Sequence, residues 1–421
     1  LTSWKKAVYS SCSHQPDSIR HYCRINDGSN RQRTQLEQVM IREFNLAISE
    51  KTLNEVYARV QRYPWHALPD NSGWDLGTDT TYLKELCRYW VSDFDWYRHE
   101  NEINRFDNFV ARIDDIDIHF IHEKGSGPNP QPLLISHGWP GSVVEFLEVI
   151  DKLAHPERFG GNIDDAFDVV VPSLPGFGFS GAPPAPIGPR RIASIFNHLM
   201  TGQLGYNGYL AQGGDWGGTI SNWLGYDHAD SCQAIHLNIL TMRLPDGPQT
   251  TAEKAWQAQF EQEQILQEGY RTQQATKPQS LSFAMMDSPV GVAAWIVEKF
   301  HAWSDINGDD IESIYSKDTL LANIMVYILT GTFNTAAWIY YGRRQEGGRF
   351  FPSDFKKISV PTAAALFPAE MSTWPPRSYV ERMFNLQRWT QMPAGGHFAA
   401  LEQPDLLVND IRAFARASVR S

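Results

Sequence analysis

The chain has 421 residues, 42% hydrophobic and 20% charged, which suits a soluble globular enzyme larger than one average domain. A net charge of −11 argues against the basic face that phosphate backbones need, so no nucleic-acid partner is expected. The four cysteines, Cys12, Cys23, Cys87 and Cys232, show no CxxC spacing, which leaves no disulfide framework and no zinc site, with a Cys12–Cys23 bridge still open.

No apolar run approaches the roughly 18 residues that span a bilayer. The polar opening, Leu1 to Arg33, has no signal-peptide h-region, and no Asn-x-Ser/Thr sequon occurs. The expectation is a soluble chain without a transmembrane anchor, cytoplasmic rather than secreted, with homodimerisation left open.

In chain order, residues 1–34 form an irregular leader that matches no motif. Leu53, Val56, Tyr57 and Val60 fall at helical spacing within 50–62, and Tyr82, Leu83, Leu86, Tyr89 and Trp90 predict a second helix over 80–98. The period then changes to two. Residues 109–122 alternate about Asp114-Asp115 and predict an antiparallel pair. Solidly apolar runs at 132–136, 167–171, 208–211 and 234–239 read as buried parallel strands, joined late by 361–366 and 386–390. The stretch 242–345 has no strand-like run and reads as a helical insertion. The predicted fold is α/β: a mostly parallel sheet with helices on both faces, an inserted helical lid and an N-terminal helical extension. Expected boundaries are 1–105 for leader and extension, 106–241 for the first part of the core, 242–345 for the lid and 346–421 for the rest.

Gly213-Gly-Asp-Trp-Gly-Gly218 follows the strand at 208–211. The arrangement G-x-D-x-G has the shape of a nucleophile elbow with Asp215 in the serine's place. A carboxylate attacks an sp³ carbon bearing a leaving group and forms an alkyl ester, which suits epoxides and alkyl halides. The alternative is a Gly-rich turn with a helix-capping Asp. His137-Gly-Trp-Pro-Gly-Ser142 can aim the Trp139 N–H at the pocket, and the Trp216 N–H supplies a second oxyanion donor. His137 itself reads as a hydrogen-bonded structural histidine. Gly395-Gly-His397 follows the last strand and offers the base, and Phe367-Pro-Ala-Glu370 offers its carboxylate partner. The order nucleophile, acid, histidine is that of an α/β-hydrolase.

With these motifs in order, residues 35–415 resemble the microsomal-type epoxide hydrolase family, which has fungal, insect juvenile-hormone and bacterial members. The resemblance extends to Tyr63-Pro-Trp65 through Trp96, and to two stretches of the insertion. Glu268-Gly-Tyr270 looks like the family's first lid-tyrosine segment and Tyr327 through Tyr341 like the second, with Tyr340 in register and Tyr341 one residue away. It implies the α/β-hydrolase fold and opening of a small hydrophobic epoxide by Asp215 to a covalent ester. Tyr270 and Tyr340 would hold the epoxide oxygen, and His397 with Glu370 would direct water onto the ester, without cofactor or metal. The rivals are a haloalkane dehalogenase, disfavoured by the two tyrosines, and a non-catalytic binder of an apolar ligand. Gly176-Phe-Gly-Phe-Ser-Gly181 satisfies G-x-G-x-x-G, but the prolines at 183, 184, 186 and 189 keep a helix from opening on its third glycine. His119 and His122 lie three apart on a strand, on opposite faces, and form no metal pair.

Overall fold

A computed structural model describes residues 41–67, 73–308 and 310–418. The leader and the Cys12–Cys23 pair lie outside the described residues. The elements are β1 (Ile41–Glu43), α1 (Glu50–Gln61), α2 (Thr80–Ser92), α3 (Trp96–Asn104), β2 (Asn108–Ile113), β3 (Ile116–Glu123), β4 (Gln131–Ser136) and α4 (Leu147–Ala154). Then come β5 (Phe167–Pro172), α5 (Pro189–His198), β6 (Tyr209–Gly213), α6 (Asp215–Asp227) and β7 (Cys232–Leu237). A helical stretch follows: α7 (Thr251–Gln267), α8 (Gly269–Thr276), α9 (Pro278–Asp287), α10 (Pro289–Ala302), α11 (Lys317–Thr330) and α12 (Phe333–Gln345). The chain closes with β8 (Ile358–Leu366), α13 (Arg377–Met383), β9 (Phe384–Gln391), α14 (Ala399–Glu402) and α15 (Pro404–Ser418).

The strands build one sheet in the order β1-β2-β3-β5-β4-β6-β7-β8-β9. Pairing is antiparallel from β1 to β5 and parallel from β5 to β9. Asp114 and Asp115 turn the β2–β3 hairpin with φ of 48° and 63°, the double left-handed geometry of a two-residue turn matched to strand twist. Alternation along β4 explains why both faces are covered. Leu133 and Ile135 belong to one buried cluster with Ile150 of α4 and Phe414 of α15, whereas Leu134 belongs to the other, with Phe196 of α5 and Ile220 of α6.

The helix expected over 80–98 is two helices. Asp93 closes α2, and the Asp95 side chain caps α3 by accepting the Tyr97 N–H at 3.0 Å, so local capping overrides a continuous apolar period. The edge strand β1 is also new; three residues are too few to register as a periodic pattern. Helices α1 and α2 pack against α10, and the Thr78 hydroxyl donates to Ala294 O at 2.6 Å. Among the described residues no single helix is long and apolar enough to cross a membrane.

The sheet also sets where a site can form. From β4 the chain goes to β5 on one side, then returns to β6 on the other. Loops leaving the C-terminal ends of β4 and β6 diverge at this switch point, and crevices form there in open α/β sheets. The pair Ser136↔Gly213 brings the turn after β4 alongside the turn after β6.

Candidate active site

Asp215 stands in that crevice with φ +47°, a left-handed conformation that a non-glycine residue adopts at a cost of about 1–3 kcal/mol. The flanking glycines make the turn possible. A Cβ on Gly213 would lie 2.1 Å from the Gly217 carbonyl carbon, and one on Gly217 would lie 1.8 Å from Ser136 O. Asp215 Oδ1 accepts the Trp139 N–H at 2.8 Å. Trp216 follows at the start of α6, whose first intrahelical bond is Gly218 N–H to Gly214 O, so its own N–H has no acceptor four residues back in the helix.

His397 Nε2 lies 3.4 Å from Asp215 Oδ2, and His397 Nδ1 bonds Glu370 Oε1 at 2.7 Å. Both loops are pinned. Ala369 N–H donates to Gly395 O at 3.0 Å, and His397 N–H to Trp303 O at 2.8 Å. The buried Glu402 carboxylate accepts the N–H groups of Phe398 at 2.9 Å and Asp305 at 2.8 Å, which fixes the turn carrying the histidine. Burial works against the imidazolium, but Glu370 and then Asp215 outweigh it and hold the His397 pKa well above its ordinary value. Burial also raises Glu370, against the pull of His397.

Tyr270 of α8 and Tyr340 of α12 roof the crevice. The Tyr270 ring stacks on Trp139 at 5.0 Å, and the Tyr340 ring meets Trp216 edge-on at 4.7 Å. The two phenol rings meet each other at 5.9 Å. Both line one cavity with Asp215. The Tyr340 hydroxyl is buried with no hydrogen-bond partner of good geometry, an arrangement expected where a ligand supplies the partner. Burial, then Asp215 for Tyr270 and Tyr270 for Tyr340, push both phenols above their ordinary pKa, so both are donors at neutral pH. Of the two adjacent tyrosines, Tyr340 lines this cavity and Tyr341 does not.

His137 is buried, with Nδ1 on Gly138 O at 3.0 Å and Nε2 accepting the Leu174 N–H at 3.2 Å, a structural role as expected. His119 bonds Ser173 and Asn108, and His122 bonds Tyr206, so the two imidazoles serve different networks.

Two groups had no signal in the sequence reading. Glu145, in the turn after Ser142, lines a small second cavity with Ser136, Gln212, Asp215 and His397. Burial pushes its carboxyl up to about 8, and the Ser136 hydroxyl and Gln212 Oε1 in the same cavity are buried without partners. Four arginines line the first cavity, drawn from positions too far apart to form a motif. Only the fold brings Glu145 and the arginines beside Asp215.

The model described as "Epoxide hydrolase N terminus" matches residues 41–146, and the one for the alpha/beta hydrolase fold matches residues 131–291. A protein of Stigmatella aurantiaca named putative epoxide hydrolase is 37% identical over 88% of this chain and 84% of its own. Epoxide hydrolase 1 of Oryctolagus cuniculus is 33% identical over 90% of this chain and 89% of its own. The crystal structure of the juvenile hormone epoxide hydrolase of Bombyx mori superposes with a TM-score of 0.80 at 26% identity, covering 90% of this chain and 94% of that one.

Proposed function

The chain belongs to the epoxide hydrolase family on the α/β-hydrolase fold, and on that premise we propose that Asp215 is the nucleophile of a two-step epoxide hydrolysis. Enzymes of this family add water to an epoxide and need no cofactor. The observation that carries the assignment is the line of three groups at the switch point, with Asp215 Oδ2 3.4 Å from His397 Nε2 and Glu370 2.7 Å from His397 Nδ1.

In the first step Asp215 Oδ2 bonds a ring carbon as the ring C–O bond breaks. The leaving oxygen takes a proton from Tyr270 or Tyr340, both protonated at neutral pH. Ester formation consumes the Asp215 charge, one of the two carboxylates that keep His397 protonated. The imidazolium can then give up its proton, by way of solvent, to the tyrosinate left by ring opening, and the neutral imidazole acts as a base. In the second step His397 takes a proton from water, and the resulting hydroxide attacks the Asp215 Cγ. The Trp139 N–H, already bonded to Oδ1, and the Trp216 N–H stabilise the oxyanion. Collapse breaks Cγ–Oδ2, the diol oxygen takes the proton held by His397, and the carboxyl left on Asp215 passes its own proton back to the imidazole, which restores the starting pair. We assign the cavity shared by Glu145, Ser136, Gln212 and His397 to the attacking water, since it sets several polar atoms around a water-sized space. The helices between β7 and β8 act as the lid that keeps bulk water from the ester.

The test is one turnover with enzyme in excess over an aryl epoxide in ¹⁸O-water, followed by peptide mass spectrometry. Unlabelled diol with ¹⁸O in the Asp215 peptide is the expected result. Diol fully labelled from solvent in that first turnover means direct attack by water and removes Asp215 from the role of nucleophile.

A further inference from the structure

The cavity above Asp215 is unusual for a site meant for a purely apolar molecule. Its volume is about 50 Å³, and Arg243, Arg271, Arg343 and Arg349 all line it with Tyr270 and Tyr340. They arrive from four places: the loop after β7, helix α8, helix α12 and the turn after α12. Such convergence costs energy, because like charges repel and burial strips their hydration. Burial first, then the Arg349 guanidinium, pulls both Arg243 and Arg343 down to about 9, which still leaves them ionised at neutral pH.

The local supply of negative charge does not match. Glu268 pairs with Arg271 and stands 3.9 Å from Arg349. Neither Arg243 nor Arg343 has a carboxylate within 4 Å among the described residues. Both are instead held in place by main-chain oxygens. Arg243 Nη1 donates to Leu240 O and Met242 O at 3.0 Å each. Arg343 donates to Thr241 O at 3.0 Å and Gly348 O at 3.3 Å, and its guanidinium lies 5.2 Å over the Trp216 ring. Guanidinia fixed by neutral acceptors keep their charge for another partner and lose little entropy when it binds. Asp215 shares the cavity, but its carboxylate is already bonded to Trp139 and faces His397. In a protein of net charge −11, an unbalanced positive pocket beside the nucleophile is a specific feature. A neighbouring cavity lined by Arg271, Arg343, Arg344 and Arg349 extends it along Tyr340.

We propose that these arginines form a carboxylate-binding subsite and that the substrates of this enzyme are epoxides carrying a carboxylate within reach of the ring. The proposal rests on the reading of Asp215 and the two tyrosines given above. It narrows the small hydrophobic epoxide expected from the sequence to an epoxy acid. A carboxylate held bidentately by a fixed guanidinium would also set which ring carbon faces Asp215 Oδ2.

The test compares 4-(oxiran-2-yl)benzoate with its methyl ester at low ionic strength. The acid should show a kcat/KM roughly 10- to 100-fold above the ester, as for a charge-assisted pair, and the advantage should shrink with added salt. Arg343→Gln and Arg243→Gln should each reduce the acid-to-ester ratio, a quantity that a simple folding defect leaves unchanged. Acetate should compete with the acid; if it accelerates the ester instead, the arginines serve a separate anion and the proposal is wrong. Equal kcat/KM values, or a preference for the ester, also overturn it. Calorimetry with the product 4-(1,2-dihydroxyethyl)benzoate and its methyl ester reads the subsite without chemistry. If neither epoxide is turned over, the proposed function fails, and tighter binding of the acid diol still upholds the carboxylate subsite while equal binding rejects it.

Discussion

Replacing Glu370 with Gln tests the division of labour between the two steps. The 2.7 Å contact to His397 Nδ1 is a buried, charge-assisted hydrogen bond, and such bonds contribute about 1.5–3 kcal/mol. Glu370→Gln keeps an acceptor oxygen and removes the charge, so its effect on ester hydrolysis should be roughly 10- to 150-fold at 1.36 kcal/mol per decade. Alkylation depends on Asp215 and the two tyrosines and should keep its wild-type rate. Rapid quench with enzyme in excess, read by intact-protein mass spectrometry, separates the steps: the variant should accumulate alkyl-enzyme at the normal rate and release diol slowly. The pH profile of release carries a second sign. Glu370 is among the groups that raise His397, so without its charge the His397 pKa falls, and the rising limb of hydrolysis moves to lower pH. Equal slowing of both steps, or no accumulation of ester, would refute the argument. The Glu370 Oε2 is buried without a partner, so an amide nitrogen placed there is unsatisfied as well, and a thermal melt should accompany the kinetics.

Tyr340→Phe should lower kcat/KM by roughly 100-fold, as for a lost oxyanion donor, yet leave the melting temperature nearly unchanged, because the hydroxyl removed is buried without a partner of good geometry. A parallel drop in stability and activity would mean that this phenol is structural. Gly138→Ala places a methyl 2.1 Å from Asp215 Oδ1, so turnover should fall by at least about 100-fold with a much smaller change in thermal midpoint, and near-normal kinetics would contradict the position described for the nucleophile. Glu145→Gln should slow ester hydrolysis about 10- to 100-fold without touching alkylation if this carboxyl positions the water; slower alkylation with normal hydrolysis would reject that role. Its folded pKa, about 8, lies above the ordinary 4.5, so its stabilising contribution is complete below about pH 4.5 and is lost as pH rises toward 8. The variant should therefore show a flatter dependence of unfolding free energy on pH across that window, measured by denaturant titration.

The parts of this site that were legible in the sequence are those where sterics leave few choices. Gly213 and Gly217 flank Asp215 because backbone fills the space a Cβ would occupy, and such constraints appear as a pattern. His397 and Glu370 were legible through their places after strands whose apolar runs were plain. The break between α2 and α3 was hidden because Trp90, Phe94 and Trp96 are all buried, and the apolar signal continues through a cap that only Asp95 marks. Glu145 sits in a short turn without periodicity. The arginines are spread from Arg243 to Arg349, and nothing in local sequence distinguishes a guanidinium that faces a cavity from one that faces solvent. Long-range assembly of like charges is a property of topology, and no window along the chain contains it.

The bond from the Trp139 N–H makes the two oxygens of Asp215 unequal. Oδ1 is tethered, and Oδ2 is the oxygen left to form the ester. When that ester is cleaved at Cγ, Oδ2 leaves inside the diol and an oxygen from solvent replaces it. On the proposed mechanism the enzyme renews one atom of its own side chain in each cycle and retains the other for its lifetime. After many cycles in ¹⁸O-water the Asp215 peptide should carry a single heavy oxygen, and a doubly labelled peptide would show that the carboxylate turns over between cycles. At one oxygen this aspartate is a consumed reactant, and at the other it is a permanent fixture of the scaffold.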